Sequence, residues 1–283
     1  MGPERHEDTL ELKKIALKVR RNILRLIKAG KAGHVGGALS AADLLTALYF
    51  RVMKIDPLRP DWPERDRLVV SAGHKSLVLY AALAARGYFP EQLLDTYGSL
   101  ASRLPGHPDM HKLPGVEAST GALGHGLSIA GGMALGLRLS GLASRVFVVM
   151  GDGELAEGSN WEAAAAASHH KLENLVVIVD RNGLQISGRT VEVMSYEPLE
   201  ERWRSFGWSV RRMDGHDFGQ ILKALEAVPF EPGRPSAIVA DTIKSRGLSF
   251  AEGKVEYHYW KPAAEELAQA ERDLDGIERS LAG

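Results

Sequence analysis

Apolar residues are distributed along this chain in two patterns, at helical spacing and in short continuous runs. Helical spacing predicts helices over residues 10–29, 40–53 (with Ser40 as the N-cap), 75–87, 125–139, 157–170 and 218–228. Short apolar runs predict buried strands at residues 67–71, 145–150, 174–180, 208–211 and 236–240. Because strands alternate with helices, the sequence predicts an α/β fold with a doubly wound, mainly parallel sheet flanked by helices.

The length of 283 residues suits a single domain, with a core at about residues 10–261 and a tail at residues 262–283. The tail is charged and rich in alanine, which predicts a helix that lies near the surface or leads away from the domain.

Composition excludes several classes of function. The net charge of -1 gives no field to recruit nucleic acid or an anionic membrane. The chain has no cysteine, which excludes disulfides, thiolate catalysis and cysteine-based metal sites. The first residues, MGPERHEDTL, carry no signal-peptide pattern, and no apolar segment is long enough to span a bilayer. We therefore expect a cytoplasmic protein.

An acidic, glycine-rich turn, GDGELAEG at residues 151–158, follows the apolar run RVFVVM. A second turn, DRNG, follows the next strand, and the two strands with the helix between them form a predicted βαβ unit. Loops at the carboxyl ends of parallel strands meet at one edge, so we expect Asp152 and Asn182 to converge. With a loop carbonyl, for which Leu184 is the candidate, they would form an all-oxygen site for Mg²⁺ or Ca²⁺. The alternative is a pair of ordinary turns, since Asp-Gly and Asn-Gly are common turn dipeptides.

Five of the ten histidines directly follow a glycine, and these are His34, His74, His107, His125 and His216. The first three lie in loops before predicted helices, at the edge where a cleft is expected. Neutral imidazoles there could hydrogen-bond a polyhydroxylated substrate and move protons near pH 7. For any one of them, the alternative is a histidine satisfied within a turn or the core. No HxH or HxxxH spacing points to zinc.

The ordered series of motifs resembles the N-terminal half of transketolase over about residues 10–261. The series comprises AGHVGGALSAADLL, VVSAGHKSLVLYAAL, SRLPGHPDM, LPGVEASTGALGHGLS, GDGELAEGSNWEA with VDRNGLQISG, and DTIKSRGLSFAEGKVEYHYW. The resemblance implies a thiamine diphosphate-binding fold that holds the cofactor through Mg²⁺, with Ca²⁺ or Mn²⁺ as alternatives. It also implies that a two-carbon unit passes from a ketose phosphate to an aldose phosphate, as in the pentose phosphate pathway.

Residue roles follow from the resemblance by position. The metal would be held by Asp152, Asn182 and the carbonyl of Leu184. The residues that match cofactor contacts of the family are His74, Gly121, Leu123, Gly153, Glu157, Asn182 and His258. The residues that match its catalytic histidines are His34, His74, His107 and His258, of which His34 and His107 correspond to sugar contacts. Glu157 and Glu162 match acids near the subunit interface.

Three positions depart from the family pattern. Val35 replaces the proline of GHPG, and His125 stands where GPLGQG has glutamine. Tyr259 replaces the glycine of the HG pair, which places a bulky ring beside His258.

The matched region corresponds to only part of a full transketolase. We therefore expect a separate C-terminal subunit that carries the pyrimidine-binding and C-terminal domains, in an α2β2 assembly, and that supplies the glutamate activating the cofactor. Alternatives are a subunit of another thiamine diphosphate carboligase, such as deoxyxylulose-phosphate synthase, a 2-oxo acid dehydrogenase or an enzyme for an unusual ketose. An unrelated Mg²⁺ phosphohydrolase and a non-catalytic cofactor-binding subunit are the further alternatives.

Overall fold

Parallel strands form the central sheet of the computed structural model, which describes residues 3–282 and the side chains of residues 8–282. The strands are β1 (Arg67–Val70), β2 (Val146–Gly151), β3 (Leu175–Arg181), β4 (Leu184–Gln185), β5 (Gly188–Arg189), β6 (Ser209–Asp214) and β7 (Ser236–Asp241). The main sheet has the order β1-β2-β3-β7-β6 with every pairing parallel, while β4 and β5 form a small antiparallel hairpin. The predicted parallel α/β sheet is confirmed.

Helices cover both faces of this sheet. They are α1 (Pro3–Gly30), α2 (Val35–Ser40), α3 (Ala42–Ala47), α4 (Ser76–Arg86), α5 (Gly126–Leu139), α6 (Gly158–His169), α7 (Thr190–Val193), α8 (Leu199–Ser205), α9 (Phe218–Glu226) and α10 (Ala264–Ala282). Short 3-10 turns lie at Gly73–Lys75, Glu91–Thr96, Gly153–Ala156 and Val255–His258, and a π turn at Leu48–Val52 follows α3.

The predicted N-cap at Ser40 is wrong. Ser40 is the last residue of α2, a short helix that the sequence did not predict and that begins just after His34. The Ser40 hydroxyl lies within hydrogen-bond distance of the carbonyl of Gly37 and of the carboxylate of Asp180, so it joins α2 to β3. Residue 41 separates the two short helices with φ -87° and ψ 0°, a bridge-region conformation that interrupts the helix.

The sheet separates two apolar layers because alternate residues of a strand point to opposite faces. On β2, Phe147 and Val149 pack in the larger layer with α1, α3 and α4, whereas Val148 and Met150 pack in the layer under α5, α6 and α8. Both faces are therefore buried, which accounts for the uninterrupted apolar runs of the central strands.

The C-terminal helix α10 packs against α1 and does not lead away from the domain. Ala270 and Leu274 are buried at this contact. Arg21 of α1 forms an ion pair with Asp275 at 2.8 Å. Such exposed pairs contribute about 0–1 kcal/mol each, so the buried apolar residues do most of the docking. Within residues 3–282, no helix has the length and apolar character needed to cross a bilayer.

Candidate functional site

The strand register aligns the ends of β2, β3 and β7. Gly151 pairs with Asp180, and Asp180 pairs with Ala240, so the loops that begin after these residues share one edge of the sheet. Asp152 begins the first loop and Asn182 lies in the second. One edge of the sheet therefore collects both turns that the sequence singled out.

The Asp152 carboxylate contacts the second turn directly, although the two turns are thirty residues apart in sequence. Asp152 is 8% exposed, and its two oxygens accept hydrogen bonds from the backbone N–H of Gly153 at 3.0 Å and of Gly183 at 2.7 Å. The side-chain oxygen of Asn182 accepts from the N–H of Leu184 at 3.2 Å. The predicted oxygen donors therefore lie on two loops in contact.

A buried ion pair lies beneath these turns. The ammonium of Lys75, 1% exposed, donates to the carboxylate of Asp180, which is fully buried. The hydroxyls of Ser40 and Thr242 donate to the same carboxylate. Burial alone raises the pKa of Asp180, but the charge and hydrogen bond of Lys75 outweigh burial and hold the pKa below its usual value.

A second lysine approaches from the loop after β7. Lys244 is 2% exposed, and its ammonium donates to the carbonyl of Leu184 at 3.2 Å and to Nδ1 of His258 at 3.1 Å. Burial and the nearby Lys75 lower its pKa to about 8. The cations that the acidic turn lacks in sequence are therefore supplied by two other loops. Sequence reasoning missed Lys75 and Lys244, and their places inside the motifs SAGHKS and DTIKSRG were the only signal.

The donor set fits a hard divalent cation. Burial, and then the neighbouring Asp180, raise the pKa of Asp152 to about 6, so this carboxylate lacks a sufficient counter-charge. The Leu184 carbonyl already accepts from a cation, Lys244. Among the side chains of residues 8–282, no group of three or more His, Asp or Glu could hold a metal. One carboxylate, one amide and one carbonyl suit Mg²⁺, which retains water and substrate phosphates as further ligands.

Four histidines from separate loops form one cluster at the same edge. The His34 ring lies 5.5 Å from the ring of His74, 6.0 Å from that of His107 and 5.6 Å from that of His258, between centroids. His74 and His258 lie 5.4 Å apart. His258 adjoins the predicted metal ligands through Lys244, so the histidine cluster and the oxygen donors form a single site.

Three of these histidines are uncharged at neutral pH. Burial and the charge of Lys75 lower the pKa of His74 to about 2, and burial and Lys244 lower that of His258 to about 4. Burial also lowers the pKa of His34. The pKa values of His74 and His258 therefore lie well below neutrality. The rings are available as neutral hydrogen-bond donors and acceptors.

The other two histidines that follow glycine lie elsewhere. His125 is exposed at the start of α5. His216 accepts a hydrogen bond from the N–H of Ile243 at 2.9 Å through Nε2, so Nδ1 carries the proton and donates to Asp43 at 2.7 Å. Asp43 is also held by both terminal nitrogens of Arg20. His216 is thus a structural link between the end of β6, helix α3 and the loop after β7.

Glu154 has a structural role that the sequence left unassigned. Its carboxylate accepts from the Ser71 hydroxyl, from the N–H of Gly124 at 3.0 Å and from the N–H of Gly151 at 3.1 Å. Burial raises its pKa. Because these donors lie after β1, before α5 and at the end of β2, one side chain joins three loops of the site.

Two of the predicted cofactor contacts are glycines at positions where a larger residue would crowd a neighbouring side chain. A Cβ atom at Gly121 would lie 3.2 Å from the His107 ring, and one at Gly153 would lie 3.0 Å from Cβ of Gln185. Leu123 is half-buried beside the Gly124 turn, and Glu157 is exposed at the N-cap of α6. Glu162 is exposed on α6 itself.

Comparisons with known proteins identify the family of this chain. Residues 12–279 match the family model described as transketolase, thiamine diphosphate binding domain. The chain is 46% identical over 268 residues to the 6-deoxy-6-sulfo-D-fructose transketolase subunit SqwG of Clostridium sp. (strain MSTE9), covering 92% of this chain and 98% of that protein. It is 42% identical over 267 residues to a subunit of the apulose-4-phosphate transketolase of Phocaeicola vulgatus, covering 94% of each.

Solved structures show the same architecture. The crystal structure of transketolase from Campylobacter jejuni superposes with a TM-score of 0.87 at 32% identity, covering 93% of this chain and 42% of that one. The fold and the matched family model together define a thiamine diphosphate-binding α/β domain. The chain belongs to the transketolase family, and it spans less than half the length of that solved enzyme while matching the two subunits almost end to end.

Proposed function

We propose that this chain is the N-terminal subunit of a thiamine diphosphate- and Mg²⁺-dependent transketolase, which moves a two-carbon ketol unit from a ketose phosphate to an aldose phosphate. The observation that carries this proposal is the meeting of Asp152, the turn at residues 182–184 and the histidine cluster at one edge of a parallel sheet. Open parallel sheets bind ligands at that edge.

In this proposal the metal is held by the Asp152 carboxylate, the Asn182 side-chain oxygen and the Leu184 carbonyl, with Ca²⁺ or Mn²⁺ as alternatives to Mg²⁺. Lys244, which donates to that carbonyl at 3.2 Å, would have to release it to the metal. The metal would supply positive charge to the cofactor diphosphate, and the backbone of Gly153 would contact that diphosphate. Gly121 and Leu123 would contact the aminopyrimidine ring.

The histidines would handle protons and sugar hydroxyls. When bound, thiamine diphosphate supplies the nucleophilic carbon that carries the two-carbon unit. His74 and His258, both neutral, would line the diphosphate and the reactive end of the cofactor. His34 and His107 would hydrogen-bond the donor and acceptor sugars, because a neutral imidazole can accept a hydroxyl proton and later return it.

A ketose other than the common pentose and hexose phosphates is the second candidate substrate. It is favoured by the names of two relatives, which specify 6-deoxy-6-sulfo-D-fructose and apulose-4-phosphate. Both relatives are also named as subunits, which supports a partner chain. The partner would carry the pyrimidine-binding and C-terminal domains and the activating glutamate, in a cytoplasmic α2β2 assembly with Glu157 and Glu162 at the interface.

The test is to co-purify this chain with the product of a neighbouring reading frame that carries the pyrimidine-binding pattern. Transfer is then assayed to aldose acceptors from a panel of ketoses that includes common ketose phosphates, apulose-4-phosphate and the sulfonate 6-deoxy-6-sulfo-D-fructose. We expect transfer that requires both chains, thiamine diphosphate and a divalent cation, and that the Asp152→Asn variant lacks. Transfer by this chain alone would contradict the partner requirement. Cofactor binding by the pair without transfer from any ketose would instead favour a non-catalytic subunit.

A further inference from the structure

The segment that carries His258 and Tyr259 is fastened beside the histidine cluster. After the 3-10 turn Val255–His258, Tyr259 is extended with φ -126° and ψ 116°. The next residue, Trp260, exchanges two backbone hydrogen bonds with Gly33, at 3.0 Å and 2.8 Å. Because Gly33 precedes His34, this bridge places Tyr259 next to the His34 loop.

The C-terminal helix α10 anchors the same segment from outside. The carboxylate of Glu266 accepts from the Tyr257 hydroxyl at 2.9 Å and from the Trp260 indole N–H at 3.0 Å. It also accepts from the N–H of Ala263 at 3.0 Å. Trp260 is 3% exposed. The residues on both sides of Tyr259 are thus fixed, which holds the backbone of Tyr259 in place beside His34.

The Tyr259 ring lies on the outer flank of His34. Its centroid is 4.8 Å from the His34 centroid with an interplanar angle of 75°, an edge-to-face contact. The ring remains 47% exposed although its backbone is fixed. Tyr97, which is buried, stands nearby, and burial together with Tyr259 raises its pKa. The His34 ring therefore lies between the other three histidines and the exposed phenol ring of Tyr259.

We propose that Tyr259 determines substrate size in this site, because its ring forms a fixed wall on the His34 side of the sugar cleft. The inference rests on the proposed transketolase function and extends it to a residue in contact with His34, the histidine proposed to bind the sugars. A rigid aromatic ring offers an apolar face to a sugar chain and excludes the volume that further hydroxymethylene groups would need. The wall therefore favours short acceptors over long ones.

The test compares the complex of wild-type chain and partner with complexes carrying Tyr259→Ala, Tyr259→Leu and Tyr259→Phe. The measured quantity is kcat/KM for aldose acceptors of three, four and five carbons, and its ratio between the five-carbon and the three-carbon acceptor. Removing the ring in Tyr259→Ala opens space for further carbons of the acceptor, and such a change alters discrimination between substrates by about 10-fold. We therefore expect this variant to raise the ratio of the five-carbon to the three-carbon acceptor by about 10-fold. Tyr259→Leu should give an intermediate ratio. Tyr259→Phe keeps the ring and should stay within about twofold of wild type.

Several outcomes would overturn the inference. An unchanged ratio in Tyr259→Ala, with transfer to the three-carbon acceptor retained, excludes a wall. A ratio in Tyr259→Phe that shifts as far as in the alanine variant assigns the effect to the hydroxyl and not to the ring. Thiamine diphosphate affinity, measured by fluorescence quenching, should be unchanged in all three variants, and its loss would mean that Tyr259 supports the cofactor pocket. A wild-type pair without transfer refutes the proposed function itself, and the inference falls with it.

Discussion

Replacing Lys75 by methionine removes the cation beneath the candidate site while keeping most of the side-chain volume. Lys75 is 1% exposed and its partner Asp180 is fully buried, so the wild-type pair has almost no contact with solvent. In the variant, Asp180 keeps the hydroxyls of Ser40 and Thr242 as donors. A buried carboxylate is then left without its counter-charge.

The cost follows from the asymmetry of buried ion pairs. Removing one partner costs about 3–5 kcal/mol, and the two remaining hydroxyl donors place the expected loss near the lower value, about 3 kcal/mol. For a domain of this size, each kcal/mol shifts the melting temperature by roughly 2–4 °C, so we expect Tm to fall by about 6–12 °C. Differential scanning fluorimetry of the purified chain measures this change.

The dependence on pH provides an internal check. In the wild type, the lowered pKa of Asp180 gives stability that is present above its unfolded pKa and is lost as pH falls through the folded value. In Lys75→Met, burial dominates and the folded pKa rises above the unfolded one. The folded variant then binds the extra proton, so its stability falls as pH rises. The gap in Tm should therefore be larger at pH 8 than at pH 5.

Two results would refute this reasoning. One is a Tm decrease at pH 8 that is no larger than about 2 °C, well below the shift expected for an uncompensated buried charge. The other is additivity in a double-mutant cycle. Asp180→Asn alone leaves Lys75 buried without a counter-charge, so the double variant with Lys75→Met should lose less stability than the sum of the single variants.

Four further predictions concern the acidic residues Asp152, Glu154 and Asp43. Asp152→Asn should weaken binding of Mg²⁺ with thiamine diphosphate by at least about 10-fold in calorimetry, whereas the exposed control Glu11→Gln should not. Because the pKa of Asp152 is raised to about 6, wild-type Mg²⁺ affinity should fall below pH 6, where a proton competes for the carboxylate, and constant affinity down to pH 5 would contradict this. Glu154→Gln should lower the free energy of unfolding by about 1–3 kcal/mol, because its amide N–H group would face backbone N–H donors. An unchanged denaturation midpoint would show that Glu154 does not stabilise the loops it contacts. Asp43→Asn should cost about 3–5 kcal/mol by leaving Arg20 buried without its counter-charge. This difference from wild type should shrink in acid, since the lowered pKa of Asp43 gives stability that is fully present above its unfolded pKa and is lost as pH falls through the folded value.

Much of the fold could be read from local patterns. The apolar runs at residues 145–150 and 174–180 became β2 and β3 with bounds shifted by one residue, because strands buried on both faces must be continuously apolar. The parallel βαβ rule also placed the turns of Asp152 and Asn182 at one edge. Local patterns failed at Ser40, because α2 contains Gly36 and Gly37, which are poor helix formers, and the chain then breaks at residue 41 before α3.

The charges of the site were much less predictable. Lys75 and Asp180 are separated by 105 positions, and Lys244 and Leu184 by 60, so their spacing carries no signal. Glu154 looked like one acid among three in its turn, and only its contacts with Ser71 and Gly124 reveal a structural role. The depressed pKa values of His74 and His258 likewise depend on burial and on lysines brought in from other loops.

The sequence by itself determined the class of fold, the edge of the sheet that carries the site and the residue types gathered there. Strand periodicity, glycine-rich turns and the spacing between them are local properties, so they can be recognised in the sequence without knowledge of the packing. The tertiary structure alone decided which charges are compensated, which histidines share a cluster and where Tyr259 stands relative to His34. Those features depend on distances between loops and on the removal of water, and both arise only when distant segments pack together.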